Sequence, residues 1–310
     1  MITVLAGGVG AARLLAGLMR VVPPHDITAI VNVGDDLVLH GLAISPDLDT
    51  VTYTLANAID ADRGWGLADE TWNAMAMLEQ LGGERWFNLG DRDLGTHLYR
   101  TERLSSGADL STVTTEIARA WGLDLGLLPA TNDPLRTFVT LPDENDTEVS
   151  FQRYFVERQH NVRVSAVRFD GAATAKPAPG VLDALDDCDT IIIAPSNPIV
   201  SIGPVLAVPG IRDVVERRHD RTVAVSPIVA GAAIKGPADR LMKELGHDPS
   251  VVGVARMYRS LASTLVIDGA DRDLAPAVEA EGVQCIVTDT IMRGPAEAAA
   301  LVRATLKEFR

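Results

Sequence analysis

The sequence predicts an α/β fold in which a mostly parallel sheet is covered by helices on both faces. Short apolar runs rich in β-branched residues recur along the chain and are typical of buried strands. Segments with apolar residues at helical spacing separate several of these runs, and repetition of strand, helix and strand is typical of a parallel sheet. With 310 residues, of which 47% are hydrophobic, the chain is large enough to bury a substantial core.

The elements follow one another along the chain in that order. The predicted strands are Ile2–Ala6, Ile27–Val33, Val162–Phe169, Thr190–Ala194, Thr222–Val225, Leu265–Ile267 and Val283–Thr288. The helices predicted between and after them are Ala11–Val21, Gly180–Leu185, Ala238–Leu245 and Pro295–Phe309.

The pattern changes between Thr50 and Trp121, where strand-like runs give way to helical ones. The helices predicted there are Val51–Ile59, Glu70–Leu81 and Ser111–Trp121. We therefore expect a single domain over residues 1–310 with a helical insertion at residues 50–125. Charged residues and turn formers at 142–146 predict an exposed hairpin, and with it a small antiparallel element near the middle of the chain.

The charge balance excludes one class of function. The chain has 28 Lys+Arg and 42 Asp+Glu, a net charge of −14, which repels nucleic-acid backbones and anionic membrane surfaces at long range. We expect no nucleic-acid partner and no membrane partner. A phosphorylated ligand would need local donors, a helix N-terminus or a metal ion to offset the acidic surroundings.

Cysteine usage and the first residues indicate the compartment. Cys188 and Cys285 are far apart and have no second cysteine or histidine at ligand spacing, which argues against a disulfide scaffold or a zinc finger. The segment Met1–Ala6 lacks the basic leader of a signal peptide. No apolar stretch approaches the ~20 residues that span a bilayer, so we expect a cytoplasmic protein.

The first motif is a glycine-rich turn after the opening strand, with Gly7, Gly8 and Gly10 preceding an apolar helix. Glycines let backbone N–H groups approach a phosphate, and the helix N-terminus adds a partial positive charge. The motif lacks the last glycine of a dinucleotide fingerprint, because that position is Arg13. A phosphate cradle and an ordinary tight turn both remain open.

The second motif places four carboxylates directly after the second predicted strand: Asp35, Asp36, Asp47 and Asp49. Clustered carboxylates repel one another unless a cation or hydrogen-bond donors hold them. Mg²⁺ suits this set because it binds through one or two carboxylates together with phosphate oxygens and water. We favour Asp35 and Asp49 as ligands. The alternative is that Asp47 or Asp49 caps the helix that begins near Thr50 while Asp36 is solvated.

The third motif lies inside the helical insertion and combines Asp91, Arg92 and Asp93 after a turn. Arg92 could bind a phosphate or donate to a heterocycle. A charged surface run is the alternative.

The fourth motif is a polar loop after the strand Thr190–Ala194. Ser196 and Ser201 offer hydroxyls, Asn197 offers an amide, and prolines stiffen the backbone between them. These neutral groups suit a nucleotide, although a turn punctuated by prolines is the simpler interpretation.

The fifth motif is a strand, loop and helix that contains Lys235, which could neutralise a diphosphate or be solvated. Neither His40 nor His97 has a partner recognisable from spacing. Catalysis through a covalent intermediate therefore has no support in the sequence.

Taken together and in order, these loops resemble the 2-phospho-L-lactate transferase family of deazaflavin coenzyme (F-420) biosynthesis. The segments that carry the resemblance are Leu5–Gly10, Val31–Asp36, His40–Gly41, Ser45–Val51, Gly90–Asp93, Ala194–Pro198, Ser201–Pro204 and Val225–Ile228. The segments Gly64–Gly66 and Glu70–Asn73 look most like actinobacterial members described as phosphoenolpyruvate transferases.

The resemblance implies a Rossmann-like three-layer fold, a homodimer and a transfer that depends on Mg²⁺. It implies the deazaflavin Fo as acceptor and, as donor, a guanosine diphosphate carrying phospholactate, phosphoenolpyruvate or a related acid. The ribityl hydroxyl of Fo would attack the phosphorus that bears the acid and release GMP.

The same resemblance assigns residues to roles. It places the metal site at Asp35 and Asp49, which we also expect to be the catalytic residues, and acceptor binding at Asp49 and Arg92. The nucleotide-binding residues that it implies are Gly7, Gly8, Gly10, Ser196, Asn197 and Ser201. From the chemistry of the residues we add the hypothesis that Asp49 orients or deprotonates the attacking hydroxyl.

Two alternatives from other classes remain. A nucleotide-sugar-binding regulatory protein of the gluconeogenesis-factor group would share the glycine loop but would need no acidic metal loop. An NAD-dependent oxidoreductase is weakened by Arg13 at the last-glycine position.

Overall fold

The computed structural model describes residues 1–307, and fourteen strands and twelve α-helices lie within them. The strands are β1 (Ile2–Ala6), β2 (Ile27–Val31), β3 (Leu37–Leu39), β4 (Leu42–Ile44), β5 (Gly126–Pro129), β6 (Arg136–Leu141), β7 (Thr147–Ser150), β8 (Ala166–Asp170), β9 (Thr190–Ile193), β10 (Thr222–Val225), β11 (Ile228–Val229), β12 (Ala232–Ala233), β13 (Thr264–Asp268) and β14 (Gln284–Thr288). The helices are α1 (Val9–Leu18), α2 (Pro46–Leu55), α3 (Asn73–Gln80), α4 (Asp93–Ser105), α5 (Leu110–Ala120), α6 (Val181–Asp187), α7 (Gly203–Ala207), α8 (Ile211–Arg217), α9 (Ala238–Glu244), α10 (Val251–Tyr258), α11 (Ala275–Glu279) and α12 (Pro295–Leu306).

The centre of the molecule is a seven-stranded sheet in the order β14-β13-β10-β9-β1-β2-β5, and all its strand pairs are parallel. The chain begins at β1, moves outward through β2 to β5, and then crosses to β9 on the other side of β1. Because parallel crossovers are right-handed, this reversal places the connecting helices on opposite faces. Helix α1 packs against α2 and α12, whereas α8 packs against α6 and α7. The predicted α/β class with a parallel sheet and flanking helices is confirmed.

Most predicted strands of this sheet appear within two residues of their expected ends, and β1 and β10 agree at both ends. The strands β1, β9, β10 and β13 are buried along their whole length, which explains why they read as unbroken apolar runs. The predicted helix Pro295–Phe309 is observed as Pro295–Leu306, and Phe309 lies outside the described residues.

The prediction for Val162–Phe169 was wrong in both extent and place. The strand is Ala166–Asp170, and it pairs antiparallel with β6 in a separate three-stranded sheet. Its residues alternate between exposed and half-buried, as expected of a sheet with a solvated face. The edge strand Gly126–Pro129 was missed, because four residues that begin with glycine and end with proline carry little strand signal.

The predicted antiparallel element near the middle of the chain is confirmed. Strands β6 and β7 pair antiparallel across residues 142–146. Asn145 and Asp146 adopt positive φ angles of 58° and 54° in that turn, a region that asparagine and aspartate tolerate better than most residues.

Helices α2 to α5 lie between β4 and β5 and form a predominantly helical stretch, in which α4 is the helix for which no bounds were predicted. A small core there is separate from the main one and contains Leu39, Ile44, Met75 and Leu89. The assignment of residues 1–310 to one domain with an insertion at 50–125 stays a prediction.

Within residues 1–307, no single helix has both the length and the apolar character that crossing a bilayer requires. A bent pair, Pro198–Ala207 and Ile211–Arg217, meets that test only when its two parts are taken together, and they are bent by 99°.

Candidate active site

The crevice between β1 and β9 is where the strand order reverses. The chain leaves β1 toward β2 on one side and leaves β9 toward β10 on the other. Open parallel sheets bind ligands outside the carboxyl ends of the strands at such a point. Gly7 and Gly8 follow β1 there, and Ser196 and Asn197 follow β9.

The structure brings the glycine turn and the serine loop into contact. The backbone N–H of Gly7 donates to Ser196 Oγ at 3.2 Å. A Cβ on Gly7 would lie 2.5 Å from Ser201 Cβ, and one on Gly10 would fall on the carbonyl oxygen of Pro195. This close approach of the two loops therefore requires glycine at both positions. The nucleotide role of these residues stays a prediction.

Asn197 has a structural task in the same loop. Its Oδ1 accepts from the backbone N–H groups of Ile199 at 2.9 Å and Val200 at 3.3 Å, and so it caps the π-helical turn Pro198–Ile202. Its Nδ2 is buried and has no hydrogen-bond partner among the described residues. Because Oδ1 already accepts two hydrogen bonds, the predicted contact with a nucleotide would have to be made by Nδ2. The loop would have to move to expose that buried nitrogen.

The carboxylates after β2 are organised by two residues that sequence reasoning missed. Asn32 is fully buried; its Nδ2 donates to Asp47 Oδ2 at 2.9 Å and its Oδ1 accepts from the Gly34 N–H at 2.8 Å. Ser45 Oγ donates to Asp36 Oδ2 at 2.8 Å. Asn32 directly follows a buried strand, and that position was the available signal.

Burial makes the ionised form of these carboxyls unfavourable. Burial and the neighbouring charge of Asp47 hold the pKa of Asp35 well above its usual range. Burial raises the pKa of Asp36 to about 7 and that of Asp47 to about 6. The Oδ1 atoms of Asp35 and Asp36 are buried without a hydrogen-bond partner in the described part of the chain. A cation would stabilise the charged forms.

Asp49 lies in the first turn of α2, two residues after Asp47, and the helix begins earlier than the capping alternative required. Neither carboxylate caps the helix, because it starts at Pro46 after Ser45 and has no side-chain cap bond. Both oxygens of Asp49 instead accept from the guanidinium of Arg100, with Oδ2 at 3.1 Å from Nη1. Both side chains are almost fully buried.

Helices α2 and α4 meet through a buried polar interface that includes this pair. Tyr53 lies one turn after Asp49, and its hydroxyl donates to Asp93 Oδ1 at 2.5 Å. Asp93 Oδ2 lies 3.2 Å from His97 Nε2, within ion-pair range although the angle is not that of a hydrogen bond. Burial raises the pKa of Asp93, but His97 and Tyr53 lower it by more, so that the net shift is downward.

His97 has no partner recognisable from the sequence, and Arg100 lies in no motif that the sequence singles out. Asp93, His97 and Arg100 recur at four and three residues, which places them on one face of a helix. A polar stripe at this spacing was the available signal, and it went unused because no bounds were predicted for α4.

The motif that contains Arg92 divides between the interior and the surface. Asp93 points into the interface of α2 and α4, whereas Arg92 is exposed and its Nη1 donates to the carbonyl oxygen of Ala68 at 2.6 Å. The Glu70 carboxylate accepts from the backbone N–H groups of Arg92 and Asp93 at 2.7 and 2.9 Å. Asp91 accepts from the N–H groups of residues 73 and 74 and so ties the motif to α3. The acceptor role of Arg92 stays a prediction.

The Nζ atom of Lys235 lies against the backbone of Gly64. Burial and the nearby charge of Arg13 lower the pKa of Lys235. Two cations thus approach each other near the first helix. The contact of Lys235 with a diphosphate stays a prediction.

The two predicted metal ligands differ in whether their carboxylate oxygens already accept hydrogen bonds. One buried oxygen of Asp35 has no hydrogen-bond partner within residues 1–307, which fits a ligand to a hard cation. Both oxygens of Asp49 are bound to Arg100, although each carboxylate oxygen has a second lone pair. Within residues 1–307, no three His, Cys, Asp or Glu residues are grouped to hold a metal ion. The pair Asp35 and Asp49 therefore stays a prediction, and any cation there would draw ligands from substrate or water.

Comparison with known proteins places these features in context. The sequence model of the family described as 2-phospho-L-lactate transferase CofD matches residues 2–304. The chain is 44% identical over 309 residues to a protein of Kitasatospora aureofaciens named phosphoenolpyruvate transferase, covering 98% of this chain and 96% of that one. It is 42% identical to a protein of the same name from Streptomyces griseus subsp. griseus, covering 99% and 97% of the two chains.

A solved structure shares the fold. A member of the UPF0052 family from Bacillus halodurans superposes with a TM-score of 0.63 at 20% sequence identity, over 98% of each chain. At that identity the likeness concerns the fold alone.

Proposed function

The chain belongs to the CofD family of 2-phospho-L-lactate transferases, and from this premise we propose that it transfers a phospho-organic-acid group to the deazaflavin Fo in coenzyme F-420 biosynthesis. The donor is a guanosine diphosphate linked to the acid. The ribityl hydroxyl of Fo attacks the phosphorus that bears the acid, GMP leaves with the electrons of the broken P–O bond, and a phosphodiester forms. The hydroxyl proton passes to a base.

The observation that carries this proposal is the juxtaposition of two features at one edge of the sheet. The glycine turn after β1 contacts the loop of Ser196 and Ser201, and the buried carboxylates follow the neighbouring strand β2. Phosphoryl transfer requires mainly positioning and charge stabilisation. Backbone N–H groups at the N-terminus of α1 and a carboxylate-bound cation would supply both.

The chain's own residues would act as follows. The turn Gly7–Gly10, with Ser196 and Ser201, would bind the nucleotide phosphates through N–H and O–H donors. Asp49 would orient the acceptor hydroxyl or take its proton, since it is a buried carboxylate held in one orientation. Arg92 would bind the exposed part of the acceptor.

Mg²⁺ is proposed at Asp35 and Asp49. One oxygen of Asp35 has no hydrogen-bond partner in the described part of the chain, and the pKa of this carboxyl is raised; both fit a ligand that is ionised only when a cation is close. When bound, the ion would neutralise the phosphate oxygens that this acidic protein otherwise repels.

We propose phosphoenolpyruvate as the acid, with 2-phospholactate as the alternative. Support comes from relatives of this name at 42–44% identity over nearly the whole chain. The two acids differ by a few atoms, so that discrimination would depend on small pocket contacts. A homodimer in the cytoplasm remains part of the proposal.

The decisive experiment is mass spectrometry of the product formed from Fo with each guanosine-diphosphate-linked acid. We expect a phosphodiester of Fo and free GMP, with the enolpyruvyl donor preferred. Asp49→Asn under saturating Mg²⁺ should lower turnover by about a hundredfold or more. The control is Asp170→Asn, which changes an exposed carboxylate on β8. Binding of a UDP-sugar or NADH without any transfer to Fo would refute the proposal.

A further inference from the structure

We propose that Arg100 is a positioning residue that fixes the direction of the Asp49 carboxylate. We further infer that His97, Asp93 and Tyr53 hold Arg100 in place. This inference rests on the proposed function, since it concerns how Asp49 meets the acceptor hydroxyl.

The first step is the geometry of the pair. The two terminal nitrogens of Arg100 donate to the two oxygens of Asp49, with the Nη1 to Oδ2 distance at 3.1 Å. A planar guanidinium bound in this two-point manner fixes both the position and the plane of a carboxylate. The second lone pairs of the Asp49 oxygens then have fixed directions in that plane. A single ammonium group in place of the guanidinium could not define that plane.

The second step is the way Arg100 itself is held. Its Nη1 lies 3.4 Å from the carbonyl oxygen of Ala43 on β4 and 3.4 Å from His97 Nδ1. Because arginine only donates, Nδ1 of His97 must accept, which places the proton of a neutral ring on Nε2. That nitrogen faces Asp93 Oδ2 at 3.2 Å.

Tyr53 connects Asp93 back to the helix that contains Asp49. Asp93 Oδ1 accepts from the hydroxyl of Tyr53, which lies on α2 one turn after Asp49. The contacts therefore leave α2 at Asp49, pass through three side chains of α4, and return to α2. Such a closed set resists rotation of any one member, as preorganised sites require.

Stability alone does not account for this arrangement. Replacing a fully buried ion pair by apolar residues of similar volume is often neutral or stabilising. Arg100 and Asp49 are almost fully buried. Both are close enough to Asp36, one of the carboxylates after β2, for their charges to shift its pKa, and the charge of Asp36 in turn raises the pKa of Arg100. The ion pair instead fixes the Asp49 carboxylate beside the proposed reaction centre.

The test compares Arg100→Lys with Arg103→Lys. Arg103 lies on the same helix and also contacts a carboxylate through two nitrogens. Its Nε and Nη2 donate to the two oxygens of Glu116 on α5 at 2.9 and 2.7 Å, so that its partner is not one of the carboxylates after β2. Both variants keep the positive charge and lose the two-point geometry. Thermal unfolding of each variant establishes that it is folded, and the natural fluorescence of Fo gives its dissociation constant directly.

We expect Arg100→Lys to lower kcat by about thirtyfold or more while the Fo dissociation constant changes by less than about threefold. Arg103→Lys should stay within about twofold of the wild type in both. A purely structural role would instead lower the melting temperature and weaken Fo binding together with kcat. Full kcat in folded Arg100→Lys, with the wild type transferring to Fo, would overturn the inference and leave the proposed function intact.

Two milder variants decide the matter if Arg100→Lys does not fold. His97→Leu removes the ring nitrogen that accepts from Arg100, and Tyr53→Phe removes one hydroxyl. We expect kcat to fall by about three- to tenfold in each, with Fo affinity kept. Unchanged kcat in both would overturn the inference. A wild-type protein that transfers nothing from any of the donors would refute the proposed function, and the inference with it.

Discussion

The carboxylate of Asp49 on α2 is bound by both terminal nitrogens of Arg100, a residue 51 positions later on α4. The two helices therefore meet through a buried charged pair, which is expensive to desolvate and strongly dependent on both partners. Beside this pair, the site contains the buried carboxyls of Asp35, Asp36 and Asp47. Burial raises the pKa of all three, because no cation is paired with them among the described residues.

Removing one partner should destabilise the protein more than removing both. Arg100→Met leaves Asp49 buried without a cation, and we expect a loss of about 3–5 kcal/mol in the free energy of unfolding. The double variant with Asp49→Leu should recover much of that loss. Urea denaturation measures both, with Arg103→Met as a control on the same helix. Equal destabilisation by the single and double variants would show that the two side chains do not depend on each other.

Stability should depend on pH through the carboxyls after β2. The folded-state pKa of Asp36 is raised to about 7 and that of Asp47 to about 6, from an ordinary value of 3.8. The folded state therefore binds more protons than the unfolded state between those values. The stabilising contribution is present below pH about 4 and is lost as the pH rises toward 7, by up to about 1.4 kcal/mol per pH unit for each group.

The measurement is urea denaturation in EDTA from pH 4 to pH 7.5. Asp36→Asn should gain stability relative to the wild type as the pH rises, because the variant has no carboxyl to ionise. Asp170→Asn serves as the exposed control. A wild-type-to-variant difference that is constant over this range would show that Asp36 ionises normally.

The glycine turn should tolerate no side chain at Gly10. A Cβ there would fall on the carbonyl oxygen of Pro195, so that the two loops at the crevice would have to separate. We expect Gly10→Ala to weaken guanosine-nucleotide binding by about tenfold or more in calorimetric titration. Gly95→Ala on α4 is the control. A Cβ added at Gly95 would have no described atom within 4 Å, apart from those of its chain neighbours and of its own helix backbone. Wild-type nucleotide affinity in Gly10→Ala would remove the turn from the binding site.

The proposed cation should depend on Asp35. Asp35→Asn removes the charge of the oxygen that has no partner among the described residues, and we expect the Mg²⁺ concentration for half-maximal transfer to rise by about tenfold or more. Binding of Mn²⁺, followed by electron paramagnetic resonance, gives a readout that is independent of turnover. Unaltered Mn²⁺ affinity in the variant would exclude Asp35 as a ligand.

Local pattern was sufficient for the parallel sheet and for the loops at its edge. The turn after β1, the carboxylates after β2 and the polar loop after β9 could be predicted to lie near one another, because parallel strands end at a common edge. The short edge strand β5 and the antiparallel place of Ala166–Asp170 could not. Their pairing depends on neighbours distant in sequence, and their apolar signal is weak.

By itself, the sequence determined the α/β class, the glycine turn and which carboxylates follow the second strand, since these features depend on residues next to one another. Only the tertiary structure decided that Asp49 pairs with Arg100, that Tyr53 donates to Asp93, and that the Gly7 N–H donates to Ser196. The physical reason is that side-chain partners are selected by how helices dock. Helix α4 packs on β4 and α5 and meets α2 through polar side chains, and no local pattern of residues encodes that arrangement.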